Sequence, residues 1–235
     1  MRDYPRQQLL LNVELDIGST LENFVFGKNN QALEQFIGDS LFTAKERFLY
    51  IWGNPGSGKS HLLQALCHEF DAQGMSSIYL PLKHTDGHPT DMLEDLDQLR
   101  LVCIDDVDKV AGAREWETAL FNFYNRAKEA ETVVVFAGEV PAVQLPLVLA
   151  DFASRMQSAV VFRLHTLDDV EKTGLLQDRA KAVGINLSQA VIDYVMLRSD
   201  RKVSDLIQLL SRLEKQSLLE KRRITIPLVK QEMGW

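Results

Sequence analysis

The hydrophobic residues of this chain fall into short apolar runs separated by longer amphipathic stretches. The apolar runs occupy residues 48–52, 77–81, 101–105, 132–137 and 159–164. Runs of this length, ended by turn-forming or charged residues, predict buried strands. Residues 30–40, 60–70 and 116–128 instead repeat their apolar positions at helical spacing. Strands that alternate with helices predict a mainly parallel five-stranded sheet between layers of helices, which is an α/β fold.

The pattern changes after residue 164, because every later apolar segment has helical spacing. These segments lie at residues 168–183, 188–198, 203–220 and 226–233. We therefore predict an α/β domain at residues 17–165 and a small all-helical domain at residues 166–235. Residues 1–16 stand apart from both domains, since a polar start is followed there by a short apolar run.

Composition and charge narrow the classes of function. Apolar residues make up 46% of the chain, and the net charge of −7 argues against a protein that binds nucleic acid by neutralising phosphates. Cys67 and Cys103 have apolar neighbours, which favours two buried reduced thiols. No apolar run reaches the roughly 18 residues of a membrane span, and the N-terminal residues lack a signal-peptide core. We expect a cytoplasmic protein with no membrane partner.

A complete phosphate-loop motif lies between the first predicted strand and the helix that follows it. The motif consists of Gly53, Asn54, Pro55, Gly56, Ser57, Gly58, Lys59 and Ser60. Glycines let the backbone turn tightly and direct its N–H groups at phosphate oxygens. Lys59 can reach the β- and γ-phosphates, and the Ser60 hydroxyl can bind Mg²⁺. The motif predicts ADP or ATP with Mg²⁺, and His61 belongs to the first helical turn beside it. The alternative is a glycine turn without a ligand.

The third predicted strand ends in two acidic residues, Asp105 and Asp106. In phosphate-loop proteins an acid at this place holds Mg²⁺, which is the role predicted for Asp105. Asp106 stands where an acid that orients the attacking water is found. Apolar strands that end in Asp are common, so this prediction depends on the phosphate loop that precedes it.

Residues 21–31 resemble the segment that precedes the phosphate loop in the bacterial replication initiator family DnaA, of the AAA+ class. In that family the segment packs against adenine, which implies nucleotide contacts from Phe24, Val25 and Asn30. Residues 58–63 and 104–107 resemble the following DnaA motifs, so the resemblance covers roughly residues 20–235. It implies a AAA+ nucleotide-binding domain followed by a helical lid domain.

Four further segments are similar to the Hda family, paralogues of DnaA without its helix-turn-helix DNA-binding domain. They lie at residues 101–106, 116–126, 151–156 and 223–233. The resemblance implies a regulator that works with the DNA-loaded sliding clamp, the β subunit of the polymerase. Such a regulator stimulates ATP hydrolysis by DnaA and represses re-initiation of replication. It would meet DNA only indirectly, through the clamp, and a homo-oligomer is left open.

The N-terminal apolar run resembles the clamp-binding peptide of that family. The residues that would enter the clamp are Gln8, Leu9, Leu11 and Val13. An extended peptide with a glutamine amide and apolar side chains suits a preformed hydrophobic groove. Two alternatives remain open: Gln7 could take the place of Gln8, or the run could pack on the domain as an extra strand.

Arg155 stands where AAA+ proteins place an arginine finger, so the resemblance implies that it acts on a neighbour's γ-phosphate. A guanidinium in that position stabilises the charge that develops in the transition state. The alternative is an exposed arginine paired with Asp151, four residues earlier on a helix.

Two sensor positions of the family are altered in this chain. Ala137 stands where a polar residue is usual, with Glu139 as the nearest substitute, and Ser204 stands where an arginine is expected. Arg201, one turn earlier, is predicted to replace that arginine in part. These changes predict weak or no intrinsic ATPase activity and an activator of a partner's ATPase. The alternative is a self-contained AAA+ ATPase, such as a helicase loader or remodeller.

Overall fold

A computed structural model describes residues 15–16, 18–41, 46–84, 90–220 and 223–234, and it confirms the α/β fold with a helical C-terminal part. The strands are β1 (Phe48–Trp52), β2 (Ser77–Pro81), β3 (Leu101–Asp105), β4 (Val133–Gly138) and β5 (Val160–Arg163). They form one sheet in the order β2-β3-β4-β1-β5, and all four neighbouring pairs are parallel. The carboxyl ends of β1 and β3, where the two nucleotide motifs follow, therefore lie at the same edge of the sheet.

Helices cover both faces of this sheet. They are α1 (Gln31–Phe36), α2 (Lys59–Ala72), α3 (Arg114–Ala130) and α4 (Ala150–Ser158). The helix predicted over residues 30–40 is in fact shorter, because α1 is followed by a π-helical turn at Ile37–Leu41. That turn contains Gly38, a residue that disfavours a regular helix by about 1 kcal/mol relative to alanine.

Alternation along the strands divides the core between the two faces. Leu49 and Ile51 of β1 are buried in the cluster that includes α2, whereas Tyr50 between them is buried in the cluster that includes α3 and α4. Successive strand side chains point to opposite faces, so a strand covered on both sides is apolar throughout.

The chain divides into two compact units between His165 and Thr166. The second unit contains α5 (Asp169–Ala182), α6 (Gln189–Arg198), α7 (Val203–Glu220) and α8 (Ile226–Met233). Its core includes Leu176, Ile192 and Leu206. A capping box begins α5, in which the side chains of Asp168 and Glu171 each accept a hydrogen bond from the other's backbone N–H.

The predicted clamp-binding residues Gln8, Leu9, Leu11 and Val13 lie outside the residues that the structure describes, and that prediction stays a prediction. Of the helices within the described ranges, none is long and apolar enough to cross a membrane.

Candidate functional site

The phosphate loop joins β1 to α2, and its glycines are required by its geometry. Gly56 and Gly58 have φ angles of +78° and +100°, a conformation that residues with a side chain rarely adopt. A Cβ on Gly53 would lie 2.4 Å from the backbone oxygen of Leu164. The backbone packs too closely at Gly53 to admit a side chain. The loop ends at the N-terminus of α2, where partial positive charge favours an anion.

Lys59 folds back onto this loop. Its side chain is 7% exposed, and Nζ donates hydrogen bonds to the carbonyl oxygens of Gly53 at 2.7 Å and Asn54 at 3.3 Å. The hydroxyl of Ser57, in the same loop, is buried and has no hydrogen-bond partner within the described residues. A buried ammonium group and an unsatisfied hydroxyl are groups that a phosphate would satisfy.

Ser60 and Asp105 are brought together by a tyrosine. Asp105 is fully buried; its Oδ2 accepts a hydrogen bond from the Tyr79 hydroxyl at 2.9 Å, and its Oδ1 accepts one from the Asp106 N–H at 2.9 Å. The Ser60 side chain is also close to the Tyr79 hydroxyl, where it opposes the rise of the Tyr79 pKa. Burial and the Asp105 carboxylate raise the pKa of Tyr79 far above its ordinary value, so this hydroxyl remains a donor.

The oxygens of Ser60 and Asp105 fit Mg²⁺ in chemical type. Magnesium in nucleotide sites takes one or two protein oxygens, and its other ligands are phosphates and water. The described part of the chain holds no cluster of three or more His, Cys, Asp or Glu side chains that would bind a metal without a nucleotide. The pair therefore suits a metal that arrives with phosphates.

Tyr79 is the residue of this cluster that sequence reasoning missed. It lies on β2, where it pairs in register with Cys103 of β3, two residues before Asp105. The strand order β2-β3 is needed to see this, because nothing in the local pattern of residues 77–81 points to an acid on another strand.

Asp106 differs from Asp105 in its surroundings. Its backbone is left-handed, with φ of 58°, and its Oδ2 is buried without a hydrogen-bond partner among the described residues. Lys83 Nζ lies 3.8 Å from that oxygen. Burial, and next the charge of Asp105, raise the pKa of Asp106, while Lys83 partly opposes the shift. An unsatisfied carboxylate oxygen at this place can accept a hydrogen bond from water.

The segment before β1 lies against the phosphate loop. Phe24 packs edge-to-face on His61, with ring centroids 5.3 Å apart, and a Cβ on Gly58 would lie 3.2 Å from the Phe24 ring. Val25 beside it is 41% exposed. Phe24 thus covers one side of the loop and Val25 remains accessible at its rim.

Asn30 is buried, and its amide is used by the protein backbone. Nδ2 donates to the carbonyl oxygens of Phe26 and His165, and Oδ1 accepts from the His165 N–H at 2.8 Å. Asn30 therefore ties the segment that carries Phe24 to the residues that follow β5. In this structure it positions the segment.

The two predicted arginines have different surroundings. Arg155 on α4 is half-buried, and its guanidinium carbon lies 5.7 Å from the centre of the Tyr124 ring. Within the described ranges it forms no ion pair with Asp151 or any other acid. Arg201 in the helical unit instead donates to the Asp169 carboxylate and, at 2.8 Å, to the Met196 carbonyl oxygen.

Strand β4 carries Ala137 at the sensor position, and neither Ala137 nor Glu139 just after it offers a free polar group there. Ala137 is fully buried in the core. The carboxylate of Glu139, just after β4, lies 2.9 Å from Lys109 Nζ. The hydrogen bonds from Lys109 to Glu139 and then to Asp108 raise the pKa of the lysine.

Comparison with known proteins assigns both units. The family model for the bacterial DnaA ATPase domain matches residues 15–166, and the model for the Hda lid domain matches residues 169–233. An uncharacterized protein of Haemophilus influenzae is 36% identical over 225 residues, which cover 95% of this chain and 97% of that protein.

Solved structures show the same fold at low sequence identity. Domain III of DnaA from Thermotoga maritima is 19% identical with a TM-score of 0.74, covering 93% of this chain and 97% of that one. AMPPCP-bound DnaA from Aquifex aeolicus is 22% identical with a TM-score of 0.70, covering 85% of this chain and 66% of that one. At such identities the structural likeness concerns the fold alone.

Proposed function

The chain belongs to the family of bacterial DnaA ATPase domains, with an Hda lid domain, and from this premise we propose that it is a nucleotide-binding regulator of replication initiation. Together with the DNA-loaded sliding clamp, it stimulates ATP hydrolysis by DnaA and thereby represses re-initiation. It acts in the cytoplasm and meets DNA through the clamp, which it binds with Gln8, Leu9, Leu11 and Val13.

The nucleotide, ADP or ATP, binds at the phosphate loop. Lys59 leaves the carbonyl oxygens of its own loop for the β-phosphate, and the Ser57 hydroxyl gains a partner. Phe24 and Val25 contact the base beside the loop. Ser60 and Asp105 would hold Mg²⁺, which would neutralise phosphate charge. The AMPPCP bound by DnaA of Aquifex aeolicus supports this assignment by analogy.

The observation that carries the proposal is the state of Arg155. Its guanidinium is half-buried against Tyr124 and forms no ion pair within the described ranges. An arginine supported by an aromatic ring and without an acidic partner is available for a phosphate of another molecule. A finger of this kind raises phosphoryl-transfer rates by about 10³–10⁵-fold.

The protein's own site is less complete as a hydrolytic centre. Ala137 provides no polar atom, and Glu139 is engaged by Lys109. One observation favours the second candidate, a self-contained ATPase. The Asp106 Oδ2 is buried and unsatisfied within the described residues, as a water-orienting oxygen would be. Rapid ATP turnover by the purified protein alone would support that candidate, whereas turnover only in the presence of DnaA supports the regulator.

The decisive experiment adds this protein and DNA-loaded clamp to DnaA that carries labelled ATP, and follows conversion to ADP. We expect stimulation that requires both the clamp and Arg155. Omitting the clamp, and replacing Arg155 with alanine, provide the two controls. Hydrolysis at the rate of DnaA alone in the complete mixture would remove the proposed function.

A further inference from the structure

A third buried charge lies outside the nucleotide site. The described residues contain three charged side chains that are buried, and two of them, Lys59 and Asp105, belong to the phosphate and metal groups. The third is Glu117 on α3, which is 0% exposed and forms no ion pair with a described lysine or arginine. A buried unpaired carboxylate is unfavourable unless hydrogen bonds satisfy it.

Backbone N–H groups from two separate turns satisfy this carboxylate. Oε1 accepts from Gly112 at 2.7 Å and from Val148 at 3.1 Å, and Oε2 accepts from Val148 at 2.9 Å and from Leu149 at 2.7 Å. Gly112 lies in the turn that leads from β3 to α3. Val148 and Leu149 lie in the turn that leads from β4 into α4, the helix of Arg155.

The two turns have no side-chain acceptor of their own at the helix starts. The N-cap residues of α3 and α4 are Ala113 and Leu149, which have no side-chain group that can cap a helix, and no side-chain cap of their own is formed. Glu117 supplies the acceptor for the N–H groups just before these helices: Gly112 precedes the N-cap of α3, and Val148 and Leu149 lie directly before and at the N-cap of α4. Its negative charge is also favourable beside two helix N-termini, which carry partial positive charge.

One face of α3 contacts both the start of α4 and the side chain of Arg155. Glu117 and Tyr124 are seven residues apart, which is about two turns, so they project from the same side of the helix. Glu117 holds the start of α4, and the Tyr124 ring lies beneath the Arg155 guanidinium. Arg155 follows Leu149 by six residues, about 9 Å along the helix, so a shift of the helix start is passed to the guanidinium.

We propose that Glu117 is a positioning residue for Arg155: its buried carboxylate fixes the start of α4 on α3 and thereby aims the guanidinium at a neighbour's phosphate. This inference rests on the proposed function only for the role given to Arg155. The fixation of α4 stands on the hydrogen bonds alone and can be measured separately.

The test uses Glu117→Gln, which keeps the side-chain volume and removes the charge, with Glu117→Asp as a second variant if the first does not fold. Glu115→Gln is the matched control, because Glu115 is exposed on the same helix and loses the same charge. Each full-length variant is compared with the unaltered protein by ADP titration, by hydrogen exchange of residues 145–158, and by stimulation of DnaA with loaded clamp.

For Glu117→Gln we expect ADP affinity within about twofold of the original protein and roughly 10-fold faster exchange at residues 145–158. Stimulation of hydrolysis should fall by roughly 10-fold or more at saturating protein, because misplacing a catalytic group by about 1 Å can lower a rate on the order of 100-fold. Glu115→Gln should match the original protein in all three measurements.

A double variant separates positioning from general stability. Arg155→Ala has no stimulation left to lose, so the double variant is measured by hydrogen exchange. Adding Glu117→Gln to Arg155→Ala should speed exchange at residues 145–158 as much as it does in the original protein, and should leave exchange in α2, on the opposite face of the sheet, unchanged. Exchange that rises equally in α2 and at residues 145–158, or that is unchanged at residues 145–158, would overturn the positioning role alone. If Arg155→Ala keeps full stimulation, the finger itself is lost, and exchange still reports whether Glu117 fixes α4.

Discussion

Removing the ammonium group of Lys59 tests the nucleotide site most directly. In this structure Nζ donates to the Gly53 and Asn54 carbonyl oxygens from a side chain that is 7% exposed. Lys59→Met removes the charge and keeps most of the packing of the stem, whereas Lys59→Ala also leaves space in the loop. Comparing the two variants separates the charge from the packing.

The expected loss of ADP affinity follows from the contacts that Lys59 exchanges when a nucleotide binds. A hydrogen bond to a charged group contributes about 1.5–3 kcal/mol, and the ammonium group can reach two phosphates, so about 3–6 kcal/mol of contact is at stake. The two carbonyl contacts of Lys59 are given up in exchange, which offsets part of that gain. We therefore expect ADP affinity to fall by roughly 100-fold, equivalent to about 2.8 kcal/mol.

Stability should respond much less than affinity. Loss of the two carbonyl contacts, one of them long at 3.3 Å, is partly offset because the variant no longer buries an ammonium group. The ligand-free protein is therefore expected to lose about 1–3 kcal/mol of stability, which lowers Tm by no more than about 12 °C in a protein of this size. Calorimetric titration with ADP and thermal unfolding without ligand measure the two effects. Both variants binding ADP within about threefold of the original protein would refute the assignment of the loop.

Three further predictions concern the remaining groups. Arg155→Ala should bind ADP and clamp normally yet lose stimulation of DnaA, and Arg155→Lys should restore little, since a point charge cannot reproduce the planar fork; normal stimulation by the alanine variant would count against a finger. Alanine at Gln8, Leu9 and Leu11 together should abolish clamp capture with unchanged ADP affinity, and retained capture would make the segment structural. Tyr79→Phe leaves a buried Asp105 oxygen unsatisfied, so Tm without ligand should fall by about 2–10 °C and the rise caused by Mg²⁺ with ADP should exceed that of the original protein. Equal rises would show that Mg²⁺ does not reach that oxygen.

The sequence by itself predicted the features that depend on residues close together in the chain. The spacing of apolar positions placed each strand within about two residues of its observed range, because burial on both faces requires a continuous apolar run. The phosphate loop could be recognised from the sequence alone, because its glycines are required by backbone angles within the loop itself. The helical segments after residue 164 were likewise predicted within about one residue at each end.

Tertiary structure alone decided which distant residues meet. The strand order β2-β3-β4-β1-β5 brings Tyr79 to Asp105, and the return of the chain after β5 brings His165 to the Asn30 amide. The same holds for Glu117, which in sequence is one acid on a charged helix. Its burial depends on two turns that arrive from β3 and β4. Such contacts depend on how the elements pack, and the periodicity of one segment contains no information about the partner it will meet.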